Sequence, residues 1–246
     1  MSNYDVFASV YDRLTLNVNY SQRADYIMSV LSKFGHNAGI TLDLACGTGN
    51  MTLELYKRGV DVYGVDASPS MLMEAKDKAY DLEADILFLC QKMQDIDLYG
   101  TVNTVVSTLD SINHLPTLND IKKTFERVSL FMEEEGLFIF DFNTVYKHKC
   151  VLGNNTFIYD LGDVFCSWQN SFKPLNNRVT IELDFFIKKG NLYERQSERF
   201  AEITFETDVI EALLKECGFK EVYVYDDMSF DPPKADSQRI LFVAKK

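Results

Sequence analysis

The sequence predicts a doubly wound, mostly parallel α/β sheet carrying an inserted antiparallel β meander. Three observations lead there. Short apolar runs alternate with helix-period segments through the first 145 or so residues, the pattern of repeated β-α-β units. The run Thr41-Leu42-Asp43-Leu44-Ala45-Cys46-Gly47-Thr48-Gly49-Asn50 passes from a buried strand through Gly-x-Gly straight into the helical spacing of Met51, Leu55 and Tyr56, which reads as a strand turning tightly into a helix. Beyond residue 150, alternating strands joined by turn sequences replace that rhythm.

Taken in order, the chain opens with aromatic residues Tyr4, Phe7, Tyr11 and Tyr20. An amphipathic stretch follows, with Ile27, Val30, Leu31 and Phe34 at helical spacing and Gly35 at its end. This predicts one or two helices forming a cap over residues 1–35. After the glycine turn, a helix runs to Gly59 and Asp61 to Asp66 forms the second strand. Ser68-Pro69 then reads as an N-cap with proline at the first helical position. Ile86 to Cys90 is the third strand and Val102 to Leu109 the fourth. Thr117, with Asp120 three residues on, opens a helix whose buried face is Leu118, Ile121, Phe125 and Val128. Gly136 to Phe142 is a fifth, apolar strand with Asp141 and Asn143 at its polar end.

Strands are then expected over 165–172, 178–188 and 192–200, joined through Pro174-Leu175-Asn176-Asn177 and Lys189-Gly190-Asn191. Thr207 is read as the cap of a last helix, ended by Gly218, and strands at 221–225 and 239–244 close the sheet. The layout is thus a cap (1–35), a core (36–149 and 206–246) and an insertion (150–205). Trp168, in the insertion, reads as a core residue or as a substrate-facing aromatic.

Length and apolar content allow one generous domain. The net charge of −12 argues against nucleic acid as a partner, because that recognition needs basic surface, and leaves a small or cationic ligand or plain solubility as explanations. Five cysteines, odd in number and without a Cys-x-x-Cys pair, suggest neither a disulfide framework nor a zinc site. The first residues lack a signal peptide and no apolar run is long enough to span a bilayer, so a cytoplasmic protein without membrane attachment is expected.

At the glycine turn, missing Cβ atoms at Gly47 and Gly49 permit unusual dihedrals and close approach of a ligand to main-chain N–H groups. A dinucleotide turn has a third glycine where this chain has Thr52. Asp66, at the tip of the second strand, suits the two hydroxyls of a ribose. The full string Leu-Asp-Leu-Ala-Cys-Gly-Thr-Gly-Asn, followed by Val62-Tyr63-Gly64-Val65-Asp66-Ala67-Ser68, closely resembles the first two motifs of class I S-adenosylmethionine-dependent methyltransferases. The opening Tyr4-Asp5-Val6-Phe7-Ala8-Ser9-Val10-Tyr11-Asp12 resembles the Tyr-x-x-Phe-Ala-x-x-Tyr-Asp segment of the small-molecule branch. The Ser-Ile-x-His-Leu pattern at 111–115 is similar to that of amino-sugar N-methyltransferases.

This resemblance implies a seven-stranded Rossmann-like sheet, S-adenosylmethionine as cofactor and no metal. It implies cofactor contacts from Asp43, Ala45, Gly47, Gly49, Asp66, Ala67 and Leu109, and from Tyr11 near the cofactor carboxylate. Met71 would pack on the adenine, or only on the sheet. The family usually has Gln-Asp-Met after the third strand, where this chain has Gln91-Lys92-Met93. Lys92 cannot accept from the adenine amino group, which leaves a backbone N–H near Met93 to meet the ring and Gln91, Gln94 or Asp95 as the acceptor. Tyr4 and Tyr20 either line the cleft mouth or dock the cap on the core. His114 is the candidate base for an amine or hydroxyl acceptor, or else a loop histidine held by backbone. Asp110 and Asn113 are candidates for orienting that acceptor.

The function expected is methyl transfer to a small molecule with an N or O nucleophile. The insertion would act as substrate lid or homodimer surface. Its alternatives are a catalytically silent adenosyl-cofactor-binding subunit and, disfavoured by Thr52, an NAD-dependent oxidoreductase.

Overall fold

The computed structural model describes residues 4–246, with the side chains of residues 4–7 and 9 outside the described set. The cap is two helices, α1 (Tyr4–Leu14) and α2 (Tyr20–Lys33), the second capped by Asn19, whose side chain accepts from the Gln22 N–H. The core alternates β1 (Ile40–Leu44), α3 (Asn50–Lys57), β2 (Asp61–Asp66), α4 (Pro69–Asp81), β3 (Phe88–Cys90), β4 (Val102–Ser107), α5 (Leu118–Phe131) and β5 (Met132–Asn143). After the insertion come α6 (Thr207–Glu216), β10 (Glu221–Asp226) and β11 (Arg239–Lys245). The seven strands lie in the order β10-β11-β5-β4-β1-β2-β3. All neighbours from β3 to β5 pair in parallel, and β11 runs antiparallel to both β5 and β10.

The period of two along each strand divides the core into two faces. Phe138, Phe140 and Phe242 pack with Phe125 and Leu214 on the α5–α6 face. Leu137, Ile139, Leu241 and Val243 pack with Ile27, Val30 and Leu55 on the α2–α3 face. Each such fully buried side chain contributes about 1.5–3 kcal/mol by removing apolar surface from water. The same alternation sends Asp141 and Arg239 to the α2 face, where Arg23 waits.

The insertion is a separate four-stranded antiparallel sheet: β6 (Thr156–Asp160), β7 (Val164–Lys173), β8 (Arg178–Lys189) and β9 (Leu192–Ile203), paired in that order. One face buries Val179, Ile181, Leu183 and Phe185 together with Val10 and Leu14 of α1. The cap therefore lies between the insertion and the core, and Arg13 adds bonds to Asp163 and the Leu161 carbonyl. Trp168 packs half-buried in this cluster, and its indole N–H donates to Asn170 Oδ1 at 2.9 Å.

Some elements differ from expectation. Strand β6 and the π-helical turn Lys147–Leu152 were not anticipated. β4 ends at Ser107 because Leu109 and Asp110 adopt φ values of +57° and +55°, incompatible with extended pairing. Glu206, not Thr207, occupies the N-cap position of α6. β9 runs on to Ile203, which carries Phe200 and Glu202 to His114.

Candidate active site

The parallel strands β1, β2 and β4 end together, and a crevice opens beyond their C-terminal ends. Tyr11, Tyr20, Asp43, Ala45, Gly47, Thr48, Asn50, Thr108, Leu109 and Ser111 line it around a cavity of about 40 Å³. A larger hollow beside Lys33, Glu135, Leu137 and Lys245 lies at the other end of the strands, away from the side where open α/β sheets bind ligands.

The floor of the crevice is the glycine turn. Gly47 has φ of +54° and a side chain there would meet open space, so its bare backbone faces the crevice. Gly49, at φ +78°, has another duty. A Cβ on it would lie 2.8 Å from the Cβ of Ala75 in α4, so a glycine here also permits the close packing of α4. Ala45 also takes a left-handed φ of +61°. Asp66 closes the turn by accepting from the Gly47 N–H at 2.9 Å and the Ser68 N–H at 2.8 Å. Burial pushes its carboxyl up against the lowering effect of those two N–H groups.

Asp43 lies beneath the turn, 1% exposed, and accepts from the Thr52 hydroxyl at 2.5 Å. Thr52 thus occupies the third-glycine position as a donor to a buried acid. Burial raises the Asp43 carboxyl to about 7, with Thr52 opposing the rise.

The cap closes the other side through Asp12. Its Oδ1 accepts from Thr48 Oγ1 at 2.6 Å and Asn50 Nδ2 at 2.7 Å, and its Oδ2 pairs with Lys78 Nζ at 2.7 Å. The sequence reading gave weight to Tyr11 and passed over its neighbour. Tyr11 lines the crevice, and burial, then Tyr20 and Asp110, push its phenol well up, so it stands there as a protonated donor. Tyr20 hydrogen-bonds Tyr11 and Asn50. The Tyr4 side chain lies outside the described residues.

On the β2–β3 side, Met71 is buried at the start of α4 and Ala67 is exposed. Met93 sits half-buried in a short 3₁₀ turn. Gln91 has both amide atoms occupied: Nε2 donates to the Asp97 carbonyl at 3.1 Å and Oε1 accepts from the Asp97 N–H at 2.9 Å. Its side chain therefore braces its own loop, which leaves backbone for a base to meet. Lys92 points to solvent.

The wall after β4 is built by a buried charge network. Asp141 accepts from the Leu109 N–H at 2.7 Å and the Asp110 N–H at 2.6 Å, and Arg239 Nη1 lies 3.2 Å from both its oxygens. These charge-assisted bonds offset the left-handed backbone of two consecutive non-glycine residues, which costs about 1–3 kcal/mol each. Arg239 Nη2 also pairs with Asp110 Oδ1 at 2.5 Å. Burial would raise the Asp110 carboxyl, but Arg239, then Lys147 and His114, outweigh it and hold it well below the usual range. Burial pulls the Lys147 ammonium down while Asp110 opposes it; Nζ donates to Asn143 Oδ1 at 2.8 Å.

Asn113 is turned inward: fully buried, it donates to the Ile203 and Asn143 carbonyls at 2.9 and 3.3 Å and accepts from the Asn143 N–H at 2.8 Å. Its amide is spent on joining three segments of backbone, so it supports the wall and does not face an acceptor. His114 does face outward, its side chain 42% exposed. Its ring centroid lies 5.3 Å from that of Phe200, and Nε2 lies 4.0 Å from Glu202 Oε1. Both partners come from β9, in the insertion. No local signal marked them, because an alternating strand shows which residues share a face and not what that face meets. One ligand atom each from Asp110, His114 and Glu202 falls within 4.8 Å of the others. Arg239 already neutralises Asp110, and His148 Nε2 lies 3.3 Å from Glu202 Oε2.

Known proteins similar to this chain identify its family. A family model described as a methyltransferase domain matches residues 41–136. The Bacillus subtilis (strain 168) protein YqeM, named as a methyltransferase, is 35% identical over 99% of this chain and 97% of its own length. The crystal structure of an S-adenosylmethionine-dependent methyltransferase from Clostridium acetobutylicum ATCC 824 superposes with a TM-score of 0.88 at 32% identity, covering 99% of both chains. This chain belongs to the S-adenosylmethionine-dependent methyltransferases. The sugar N-methyltransferase KedS8 from Streptoalloteichus sp ATCC 53650 shares the methyltransferase fold, with a TM-score of 0.79 at 18% identity over 96% of this chain and 92% of that one.

The methyltransferase's own residues suit its cofactor, S-adenosylmethionine. Gly47 offers backbone unobstructed by a side chain, Asp66 offers carboxylate lone pairs for ribose hydroxyls, and the buried Asp43 and the Tyr11 hydroxyl face the same crevice. The bound cofactor supplies an already activated sulfonium methyl. The dinucleotide reading falls with the family assignment. Among the described residues no helix is long and apolar enough to cross a membrane.

Proposed function

We propose that this methyltransferase acts on a small molecule presenting a nitrogen or oxygen nucleophile, held between the His114 turn and strand β9. One observation carries the reading. The insertion brings Phe200 and Glu202 against a half-exposed histidine at the C-terminal edge of the sheet, where an apolar surface, a carboxylate and a titratable ring together suit an acceptor that gives up a proton. The sugar N-methyltransferase fold neighbour and a 23%-identical glycine/sarcosine N-methyltransferase from Parasynechococcus marenigrum (strain WH8102) support nitrogen over oxygen.

The protein's part in catalysis is to hold donor and acceptor in line and exclude water, which can supply several kcal/mol of barrier lowering. His114 accepts the proton that an amine or hydroxyl must lose. The insertion acts as the substrate lid, since its buried face packs on α1 of the cap and β9 brings Phe200 and Glu202 to His114. The free thiols, two of them buried, fit a reducing cytoplasm.

A panel of amines, amino sugars and hydroxylated aromatics, with S-adenosylhomocysteine formation as readout, tests the proposal. Turnover with a member of the panel is expected, and His114→Ala should lower kcat by about 100-fold, as for loss of a general base, with cofactor affinity nearly unchanged. Cofactor binding without turnover across the panel would favour the silent subunit instead.

A further inference from the structure

Glu202 is the acid nearest His114 Nε2, and its surroundings dictate which face it shows. His148, fully buried in the π-helical turn, lies on its far side. His148 Nδ1 is 3.0 Å from the Asn177 carbonyl oxygen. A carbonyl only accepts, so this nitrogen carries a proton. His148 Nε2 then lies 3.3 Å from Glu202 Oε2, which also accepts from Asn143 Nδ2 at 3.0 Å.

Two arrangements place a proton in the Nε2–Oε2 contact. Either His148 is an imidazolium beside a carboxylate, or a neutral His148 accepts from a protonated Glu202. In both, Oε2 is the engaged oxygen and Oε1 remains an acceptor with no proton of its own. Oε1 is the atom aimed at His114, 4.0 Å from its Nε2.

We propose that Glu202, locked by His148 and Asn143, is a positioning residue that fixes His114 as its Nε2–H tautomer. Nδ1 is then the nitrogen that takes the acceptor's proton. The proposal rests on the reading of His114 as the base. At 4.0 Å the contact orients the ring by electrostatics and is longer than a hydrogen bond; such contacts tighten when a site fills.

In the transfer step the acceptor's lone pair forms the bond to the methyl carbon and the sulfur keeps the pair from the bond that breaks. The acceptor's proton passes to His114 Nδ1. The resulting imidazolium points Nε2–H at Glu202 and releases its proton through its exposed side. Asp66 and Asp110 also face His114 electrostatically. Both are committed elsewhere, Asp66 to the Gly47 and Ser68 N–H groups and Asp110 to Arg239.

The chain has three histidines, so long-range ¹H–¹⁵N NMR of the uniformly labelled protein resolves each ring without needing an acceptor. Neutral His114 is expected predominantly as Nε2–H in the wild type. In Glu202→Leu, which leaves no acceptor opposite His114, that preference should be lost, with kcat down about tenfold and KM and cofactor affinity held. An Nδ1–H tautomer or an even mixture in the wild type would overturn the proposal. So would His114 resonances that shift on adding micromolar Zn²⁺, because the three side chains would then be a cation site. The wild-type spectrum decides the matter even if Glu202→Leu does not fold. Wild-type turnover in His114→Ala would remove the base assignment, a separate failure that the tautomer measurement does not share.

Discussion

Replacing Asp43 by asparagine separates two duties of one buried carboxyl. The group is 1% exposed, accepts from Thr52, and is raised by burial from 3.8 to about 7. A raised folded value means that the folded protein binds the proton more tightly than the unfolded chain. The stabilisation is complete below the unfolded value near 4 and is lost as pH climbs through about 7. At about 1.4 kcal/mol per pH unit the whole effect is about 4 kcal/mol, of which about 3 kcal/mol falls between pH 5 and pH 8. Asparagine keeps the shape and an acceptor for Thr52 but has nothing to ionise. Relative to wild type, Asp43→Asn should therefore gain about 3 kcal/mol between pH 5 and pH 8, measured by urea unfolding of the ligand-free protein. Other titrating groups are common to both proteins and cancel. Cofactor affinity should move the other way, about tenfold weaker, because a negative charge facing a cationic ligand is gone and charge-assisted bonds are worth about 1.5–3 kcal/mol. A stability difference that is the same at both pH values would refute the burial argument.

Three further outcomes follow from the same contacts. Asp66→Ala should weaken S-adenosylhomocysteine binding in calorimetry by about tenfold or more, the cost of about two lost hydrogen bonds; an unchanged dissociation constant would remove the ribose role. Asp12→Ala frees Thr48, Asn50 and Lys78 from α1. It should raise the cofactor off-rate in stopped-flow measurements and increase amide exchange across the cap; unaltered exchange would mean that the cap is held by Val10 and Leu14 alone. Arg239→Met takes from Asp110 its arginine partner and leaves Asp141 only Arg23 at 3.5 Å as a counter-charge, so a loss of about 3–5 kcal/mol in urea unfolding is expected, and a change below about 1 kcal/mol would contradict the network.

The alternation of short apolar runs with helical periods, the glycine turn and the Ser68-Pro69 and Thr117 caps were all readable in the chain, because each depends on neighbours a few residues apart. The class of sheet and the family followed from them. Contacts between distant residues left no such trace. Arg239 meets Asp141 and Asp110 across 98 and 129 residues, and β9 delivers Glu202 to His114 only because the insertion folds back over the cap. Asn113 looked like a cleft residue beside His114, yet a 3₁₀ turn sends adjacent side chains in different directions, one inward and one out. The packing duty of Gly49 against Ala75 likewise depends on the approach of α4, which no local pattern shows. Local backbone chemistry thus determined what the protein is, while long-range closure of the chain decided which side chains share the cleft and what charge each carries there.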